Sequence, residues 1–242
     1  MTPQPAWPDE LGSDLQIANR SLAHEGVLDG FGHISVRHPN DAGLFLMARA
    51  VAPALMTPAD IQVFDLAGTR VGGPDAASYG ERFIHAALYE ARADVQAVCH
   101  SHSPSVIPFS VTGEPMQAIM HMASLQGTQV PVWDIADEFG ETDLLVRNQD
   151  KGRSLARALG DGRSALMRGH GAVVVASDVR ELVMAAIYME LNARLLAQAL
   201  AFGKPIRALS AEEATLAAQT NLQPANLGRA WAYWAHRSGF GL

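Results

Sequence analysis

Apolar residues recur at helical spacing in several stretches of the chain. Positions three to four residues apart predict a first helix over 9–28, a second that begins near Ser78, and a short one over 154–159. The longest is expected over 178–202, where an aspartate followed three residues later by a glutamate forms a capping-box pattern. A similar pattern at Ser210 predicts a further helix near the C-terminus.

Between these helices lie short segments rich in β-branched and aromatic residues, bounded by glycine and polar turns. Such segments are typical of strands. They cover residues 32–37, 43–47, 62–66, 69–71, 95–102, 164–167 and 172–176. Strands at 62–66 and 69–71, separated by Ala67-Gly68, predict a hairpin, so the pattern indicates an α/β fold whose sheet begins as an antiparallel one. No repeat or linker divides the chain, and we expect a single domain over 1–242.

Composition and charge limit the partners and the cellular compartment that we expect for this protein. The 242 residues are 48% hydrophobic and carry 18 basic against 25 acidic side chains, a net charge of −7 without a basic run. Nucleic acid and anionic membranes are therefore poor partners. A single cysteine, Cys99, permits no internal disulfide, residues 1–11 lack the pattern of a secretory signal, and no window approaches 18 consecutive apolar residues. We expect a cytoplasmic protein.

Three histidines have the spacing of a metal site. On a strand, alternate side chains point to the same face, so His100 and His102 project together while Cys99 points away. His170 lies in a turn between Gly169 and Gly171, where glycine allows the backbone to come close to an ion. Three protein ligands leave a coordination position free for substrate or water, which is the arrangement of catalytic zinc sites.

The residues alone leave other interpretations open. Nine histidines in one chain will place two at this spacing by chance fairly often. His85 is expected to pack on the sheet rather than to bind a ligand, and Cys99 to be a small buried hydrophobe. Glu81, at the start of its predicted helix, is compatible with a carboxylate that only complements the helix dipole.

Several motifs, weak one by one, are specific together. The segment from Leu15 to Pro205 resembles the class II aldolase and adducin family through Gly32-His-Ile-Ser-Val-Arg37, Met56-Thr-Pro-Ala-Asp-Ile61, Glu81 with 83–92, Val98-Cys-His-Ser-His102 and Arg168-Gly-His-Gly-Ala172. The resemblance implies a three-layer α/β/α fold with a central, mostly antiparallel sheet between helices. It further implies a homotetramer with sites at subunit interfaces, His100, His102 and His170 as ligands of one divalent ion per subunit, and Glu81 as the catalytic acid/base.

The sequence departs from the sugar-phosphate aldolases where those enzymes hold the phosphate. The family's Gly-Asn-x-Ser is Gly32-His33-Ile34-Ser35 here, its Thr-Pro-Ser-Gly loop is replaced around Arg49, and two serines before the glutamate become Tyr79-Gly80. Arginine recognises carboxylates with two parallel hydrogen bonds, which favours a flat ligand that still carries negative charge. The residues expected to bind this small-molecule substrate are Arg49, His33, Ser35, Tyr79 and His121.

The segment from His100 to Val106, followed by His121-Met122, is similar to the branch of the family that contains decarboxylases of hydroxypyridine and dihydroxyphthalate carboxylic acids. The resemblance thus implies a metal-dependent, non-oxidative decarboxylase of a hydroxylated aromatic (di)carboxylate. A class II aldolase acting on a non-phosphorylated hydroxy-carbonyl compound is the alternative, and an adducin-like scaffold without catalysis is a second. Three imidazoles favour Zn²⁺, although Mn²⁺, Fe²⁺ and Co²⁺ also suit the donor set.

Overall fold

A computed structural model of the protein describes residues 7–128 and 130–241; the first six residues of the polar N-terminal segment and the last residue lie outside them. Eight strands form one sheet in the order β4-β3-β2-β1-β5-β8-β7-β6. The strands are β1 His33–Arg37, β2 Leu44–Ala48, β3 Ile61–Asp65, β4 Arg70–Gly72, β5 Ala97–Ser101, β6 Val132–Trp133, β7 Ser164–Met167 and β8 Gly171–Ala176.

Six of the seven strand pairings are antiparallel, and the pairing of β6 with β7 is parallel. The sheet is therefore mixed and, as expected, mostly antiparallel. Parallel neighbours need a crossover connection, and two helices lie between β6 and β7 in the chain. With only two residues, β6 was too short for its hydrophobic pattern to predict it.

The described residues contain eight α-helices. They are α1 Asp9–His24, α2 Arg82–Ala91, α3 Ile107–Thr112, α4 Ala136–Phe139, α5 Gln149–Leu159, α6 Val179–Ala201, α7 Ala211–Asn221 and α8 Pro224–Arg237. The capping box at Ser210 forms as expected at the start of α7. At α6 only half of it forms, because Glu181 reaches back to Ser177 instead of the N-cap residue Asp178. None of the helices in the described chain combines the length and apolar character needed to cross a membrane.

Two hydrophobic cores cover the two faces of the sheet, which gives the three-layer arrangement. One core contains buried side chains of α1, α6 and α8, including Trp231 and Trp234, and the other contains those of α2 and α5. Successive residues of β5 alternate between them: Cys99 lies in the first core and Val98 in the second. The face that carries Val98 also carries His100, so the α2 side of the sheet holds the candidate chemistry.

Several boundaries differ from those expected. Helix α1 ends at His24 rather than at 28, and α5 starts at Gln149, five residues earlier than expected, with Asn148 as its N-cap. Helix α8, which carries the aromatic C-terminal residues, was not predicted. Helix α2 begins at Arg82, and Glu81 is its N-cap rather than a residue of its first turn.

Candidate metal centre

The three histidines meet where β5 and β8 lie side by side. His100 is the fourth residue of β5, His102 follows the end of that strand, and His170 lies in the turn between β7 and β8. The register pairs Ser101 with Ala172, which brings the end of β5 next to the start of β8. Residues 68 to 70 positions apart in the chain are thereby gathered at one end of two hydrogen-bonded strands.

Two glycines make the His170 turn possible. Gly169 has a φ of 64°, a left-handed conformation that glycine adopts without steric cost. A Cβ atom at Gly171 would lie 1.9 Å from the Ser101 carbonyl oxygen, so only glycine allows β8 to approach β5 this closely. Both glycines are therefore structural requirements of the site.

Glu81 joins the three imidazoles. One ligand atom from each of these four side chains lies within 4.8 Å of the other three. The Glu81 Oε2 atom is 3.6 Å from Nε2 of both His100 and His170, and the Nε2 atoms of His102 and His170 are 3.2 Å apart. These distances allow all four groups to face one ion.

Hydrogen bonds on the outer side of two rings orient them toward this point. His100 Nδ1 donates to the Ala172 carbonyl at 3.2 Å, and His102 Nδ1 donates to Asp29 Oδ2 at 3.0 Å. With the hydrogen on Nδ1, the Nε2 lone pair of each ring faces the cluster. Asp29 is itself held by the backbone N–H groups of Phe31 and Gly32. Asp29 was not expected in the site, because its position before a glycine resembles that of an ordinary turn residue.

The donor set fits a divalent metal ion. The His100 Nε2 atom is buried and has no hydrogen-bond partner within the described chain, although a buried polar nitrogen normally has one. Burial lowers the pKa of His100 well below its ordinary value, and it lowers the pKa of His170 to about 4. Both rings are therefore neutral near pH 7, which is the form that binds metals.

Glu81 is held at the start of α2 by a segment distant in the chain. Its Oε1 atom accepts a hydrogen bond of 2.8 Å from the Val146 backbone N–H, which leaves Oε2 toward the histidines. Burial raises the pKa of Glu81, against the opposing effects of the Val146 N–H and of His102 and Arg147 nearby. A carboxyl group with a raised pKa keeps its proton to higher pH, as a general acid requires.

A chain of buried polar groups extends from the metal centre into the α2 core. The His33 ring lies beside His100, with 5.1 Å between ring centroids, and its Nδ1 atom is 2.7 Å from His85 Nε2. The Ser35 hydroxyl connects His85 Nδ1, at 2.6 Å, to the Tyr89 hydroxyl, at 2.8 Å. Burial lowers the pKa of His33 and that of His85, the latter to about 3, so both rings are neutral. We call these four residues the buried polar chain.

The remaining residues that were expected to bind substrate lie at different places. The Tyr79 ring packs against His33 at 4.6 Å between centroids; its hydroxyl donates to the Val51 carbonyl, and burial raises its pKa to about 12. Arg49 Nε donates to Asp60 at 2.6 Å, and the Arg49 side chain remains about one-third exposed. Ser35 is fully buried within the buried polar chain.

His121 is not brought to the metal centre in this chain. It lines a separate cavity of about 540 Å³ between α6 and α8, together with Tyr188, Tyr233 and Trp234. None of the four cluster residues lines that cavity. Cys99, on the opposite face of β5, is buried, and burial raises its pKa to about 12, which agrees with the expected structural role.

Comparison with known proteins places this geometry in a family. The profile described as the Class II Aldolase and Adducin N-terminal domain matches residues 13–197. Among curated proteins, the decarboxylase tropJ of Talaromyces stipitatus is 36% identical over 187 residues, which cover 72% of this chain and 70% of that protein. The 3,4-dihydroxyphthalate decarboxylase of Arthrobacter keyseri is 31% identical over 244 residues, covering 91% of this chain and 94% of that enzyme.

The fold is shared with solved structures of low sequence identity. The L-fuculose 1-phosphate aldolase of Glaciozyma antarctica superposes with a TM-score of 0.74 at 23% identity, over 95% of this chain and 88% of that one. The structure shows the same class of α/β fold, and the sequence relatives include lyases that release CO₂ by name. On these findings, the chain belongs to the class II aldolase and adducin family.

Proposed function

We propose that this protein is a divalent-metal-dependent lyase that removes CO₂ from a hydroxylated aromatic carboxylate or dicarboxylate. The observation that carries the proposal is the convergence of Glu81 with three imidazoles at the meeting point of β5 and β8. The names of two relatives at 36% and 31% identity support decarboxylation over other lyase reactions.

A bound divalent ion would supply Lewis-acid chemistry, withdrawing negative charge from an oxygen of the substrate. His100, His102 and His170 would hold it through their Nε2 atoms, and Glu81 is close enough to be a fourth ligand. Three imidazoles favour Zn²⁺, while the nearby carboxylate also suits Mn²⁺, Fe²⁺ or Co²⁺.

A carboxyl group of the protein supplies the proton that completes the proposed reaction. When the bond between the ring carbon and the carboxylate breaks, CO₂ leaves and the electron pair stays on the ring carbon, which must then take up a proton. Glu81, whose pKa is raised by burial, is the group next to the metal position that can carry this proton. Water then returns the proton to Glu81.

We assign binding of the substrate's remaining carboxylate, the one that is not released as CO₂, to Arg49, His33 and Tyr79. Arg49 uses its Nε–H on Asp60, and its two terminal nitrogens make no hydrogen bond within the described chain, so they are free for a carboxylate. The backbone of Arg49 pairs with Ser78, next to Tyr79, which packs on His33. These contacts connect Arg49 to the metal centre by packed neighbours.

The assembly and location follow the same family reasoning. We propose a homotetramer with its sites at subunit interfaces, in the cytoplasm, where the one cysteine stays reduced. In such an assembly His121 of one subunit would contact a substrate bound at the metal centre of its neighbour.

The test is CO₂ release from a small panel of ortho-hydroxy aromatic dicarboxylates, 3,4-dihydroxyphthalate among them, by protein reconstituted with Zn²⁺ or Mn²⁺. A chelated sample and His100→Ala protein are the controls. Release that depends on both the metal and His100 supports the proposal. If protein with a full metal complement releases no CO₂ from any compound of the panel, the proposal is contradicted.

Aldol cleavage is the second candidate, since the family profile itself includes class II aldolases. In that reaction a divalent ion held by the same donor set would supply Lewis-acid stabilisation of negative charge on a substrate oxygen, and Glu81 would carry the proton. Non-phosphorylated hydroxy-carbonyl compounds and sugar phosphates belong in the same panel. Cleavage of a hydroxy-carbonyl compound without CO₂ release would transfer the assignment to an aldolase.

A further inference from the structure

The buried polar chain has one direction in which the single hydrogen left outside its hydrogen bonds lies at the end beside the metal centre. It contains four hydrogens, namely the Tyr89 phenol O–H, the Ser35 O–H and one N–H on each neutral ring of His85 and His33. Three hydrogen bonds of 2.6 to 2.8 Å join the four groups in a row. Within the described residues, the Tyr89 and Ser35 hydroxyls have no other hydrogen-bond partners.

In the first direction every group donates toward the metal centre. Tyr89 donates to Ser35, Ser35 donates to His85 Nδ1, and His85 Nε2 donates to His33 Nδ1. A neutral imidazole carries one hydrogen, so His33 then carries it on Nε2. The hydrogen left over is thus on His33 Nε2, at the end of the chain beside His100. No hydrogen bond joins this nitrogen to the described residues, and it is not among their fully buried partnerless atoms, so it is open to water or a ligand.

In the opposite direction His33 Nδ1 donates to His85, and His85 Nδ1 donates to Ser35. The two hydroxyls then share one hydrogen bond but have two hydrogens, so one O–H is left without an acceptor. Tyr89 and Ser35 are buried at the inner end of the chain, in the α2 core and away from the metal centre, so neither water nor a ligand is there to accept from such a hydroxyl. An unsatisfied buried donor is the costly outcome, so the first direction is the stable one.

We propose that the buried polar chain fixes His33 as a hydrogen-bond donor, with Nε2–H directed to an ionised oxygen of the substrate at the metal centre. Ser35, His85 and Tyr89 are positioning residues in this arrangement, and His33 determines specificity for an anionic substrate. The recognition part rests on the proposed function, whereas the direction of the chain does not.

The direction is measured without substrate. In protein labelled with ¹⁵N-histidine and loaded with Zn²⁺, a long-range ¹H–¹⁵N spectrum distinguishes the protonated from the unprotonated nitrogen of each ring. The His33 signals are assigned as those lost in His33→Gln. We expect the His33 hydrogen on Nε2 in the native protein; a hydrogen on Nδ1 overturns the proposal.

Removal of one link gives a second test. Ser35→Ala leaves His85 Nδ1 without a donor, so the two directions become similar in free energy and His33 becomes a mixture of tautomers. The matched control is Ser164→Ala, since Ser164 is also a buried strand serine but its hydroxyl has no hydrogen-bond partner in the described chain. The control is expected to leave the His33 signals unchanged, and a Ser35→Ala protein that keeps Nε2–H fully populated contradicts the proposal.

The recognition part is tested by calorimetric binding of 3,4-dihydroxyphthalate to the Zn²⁺-loaded proteins. We expect Ser35→Ala to weaken binding about tenfold, as for a lost hydrogen bond to a charged group, and Ser164→Ala to change it less than twofold. Equal affinities in the two variants would remove His33 from recognition. A native Nε2–H tautomer in a protein that releases no CO₂ would support the direction of the chain and contradict the decarboxylase.

Discussion

At the scale of single residues, the buried Nε2 atom of His100 is the strongest indication of a bound metal. We expect His100→Ala to reduce the metal content from about one ion per chain to less than a tenth and to abolish turnover, because a buried ligand is lost from the centre of the cluster. Elemental analysis after gel filtration measures the content. His236→Ala, at an exposed position of α8, is the matched control. Full activity of His100→Ala would contradict both lyase assignments, and native protein purified without metal would favour a scaffold.

Asp29 offers a finer test of the same centre. Asp29→Asn keeps an oxygen for the Phe31 and Gly32 N–H groups but loses the charge that orients His102. We expect metal affinity to fall 10- to 100-fold, which is typical when the partner of a metal-binding histidine is changed. Competition with a fluorescent chelator measures it. Asp41→Asn is the control, since exposed Asp41 accepts the Gly43 N–H in a similar turn, and an equal effect of both changes would argue against the role of Asp29.

Substitution of Arg49 tests whether the substrate is anionic or neutral. We expect Arg49→Ala to raise KM for an aromatic dicarboxylate at least tenfold with a smaller change in kcat, because in the proposed function the guanidinium binds a part of the substrate that does not react. Steady-state kinetics on the panel measures this ratio. Arg70→Ala removes a comparable arginine, paired with Asp75, that lies outside the site. An unchanged KM in Arg49→Ala would make Arg49 a structural partner of Asp60.

The residues of the candidate metal centre were predictable because their signal is local. The spacing of His100 and His102 on a strand, and the glycines on both sides of His170, are visible in the sequence itself. Asp29 and the buried polar chain were not visible in this way, since their contacts join residues 50 or more positions apart. His85 was expected to pack on the sheet; it does so, but as a hydrogen-bonded link.

At the scale of elements, the close approach of β5 and β8 sets the geometry of the site. We expect Gly171→Ala to unfold the protein or to reduce its melting temperature by more than 10 °C, since the added Cβ would overlap the Ser101 carbonyl oxygen. Differential scanning calorimetry measures the change. Gly228→Ala is the control, because Gly228 lies within α8 with open space around its Cβ position, and alanine favours a helix there. A native-like melting temperature for Gly171→Ala would contradict the described register.

Elements with a strong periodic pattern were predicted well. Helix α6, with its long apolar stripe, and strands β5 and β8 lie close to their expected positions. The segment between β5 and α5 was expected to be irregular, yet it contains α3, α4 and β6. These elements have two to six residues, too few for a hydrophobic period to be recognised, and tertiary contacts determine them.

At the scale of the whole molecule, buried neutral histidines connect stability to pH. His85 has an ordinary pKa of 6.5 when unfolded and about 3 when folded, so between these values the unfolded state binds the extra proton. The free energy of unfolding should therefore be highest above pH 6.5 and fall on acidification by about 1.4 kcal/mol per pH unit for this residue. That loss is expected to extend over the interval from pH 6.5 down to about pH 3.

His85→Gln isolates this contribution. The glutamine amide can accept from Ser35 and donate to His33, so we expect a modest loss of stability at pH 7 but a slope that is shallower by about one proton. Urea unfolding at several pH values, with a chelator present in every sample so that metal release does not contribute, measures the slope. An unchanged slope would show that His85 is not the buried neutral group described.

The family resemblance gave the architecture that the pattern of residues alone left open. The class of fold and the assignment to a lyase family, both expected from the motifs, are confirmed by the family match and by the structural likeness. The C-terminal helix α8, beyond the matched residues 13–197, was not anticipated, because its apolar positions pack on α1 and α6 rather than on the sheet.

The hydrogen bond from the Val146 N–H to Glu81 means that the carboxyl group and the three imidazoles are positioned by different parts of the chain. The imidazoles are anchored to the sheet, whereas the carboxyl group is anchored to the start of a helix and to the irregular segment that precedes α5. Under the proposed function, substitutions in that segment would therefore alter the position of the proton-carrying Glu81 without changing the three histidines that would hold the ion. A scaffold of this kind can change its reaction, from one way of breaking a carbon–carbon bond to another, without having to rebuild its metal centre.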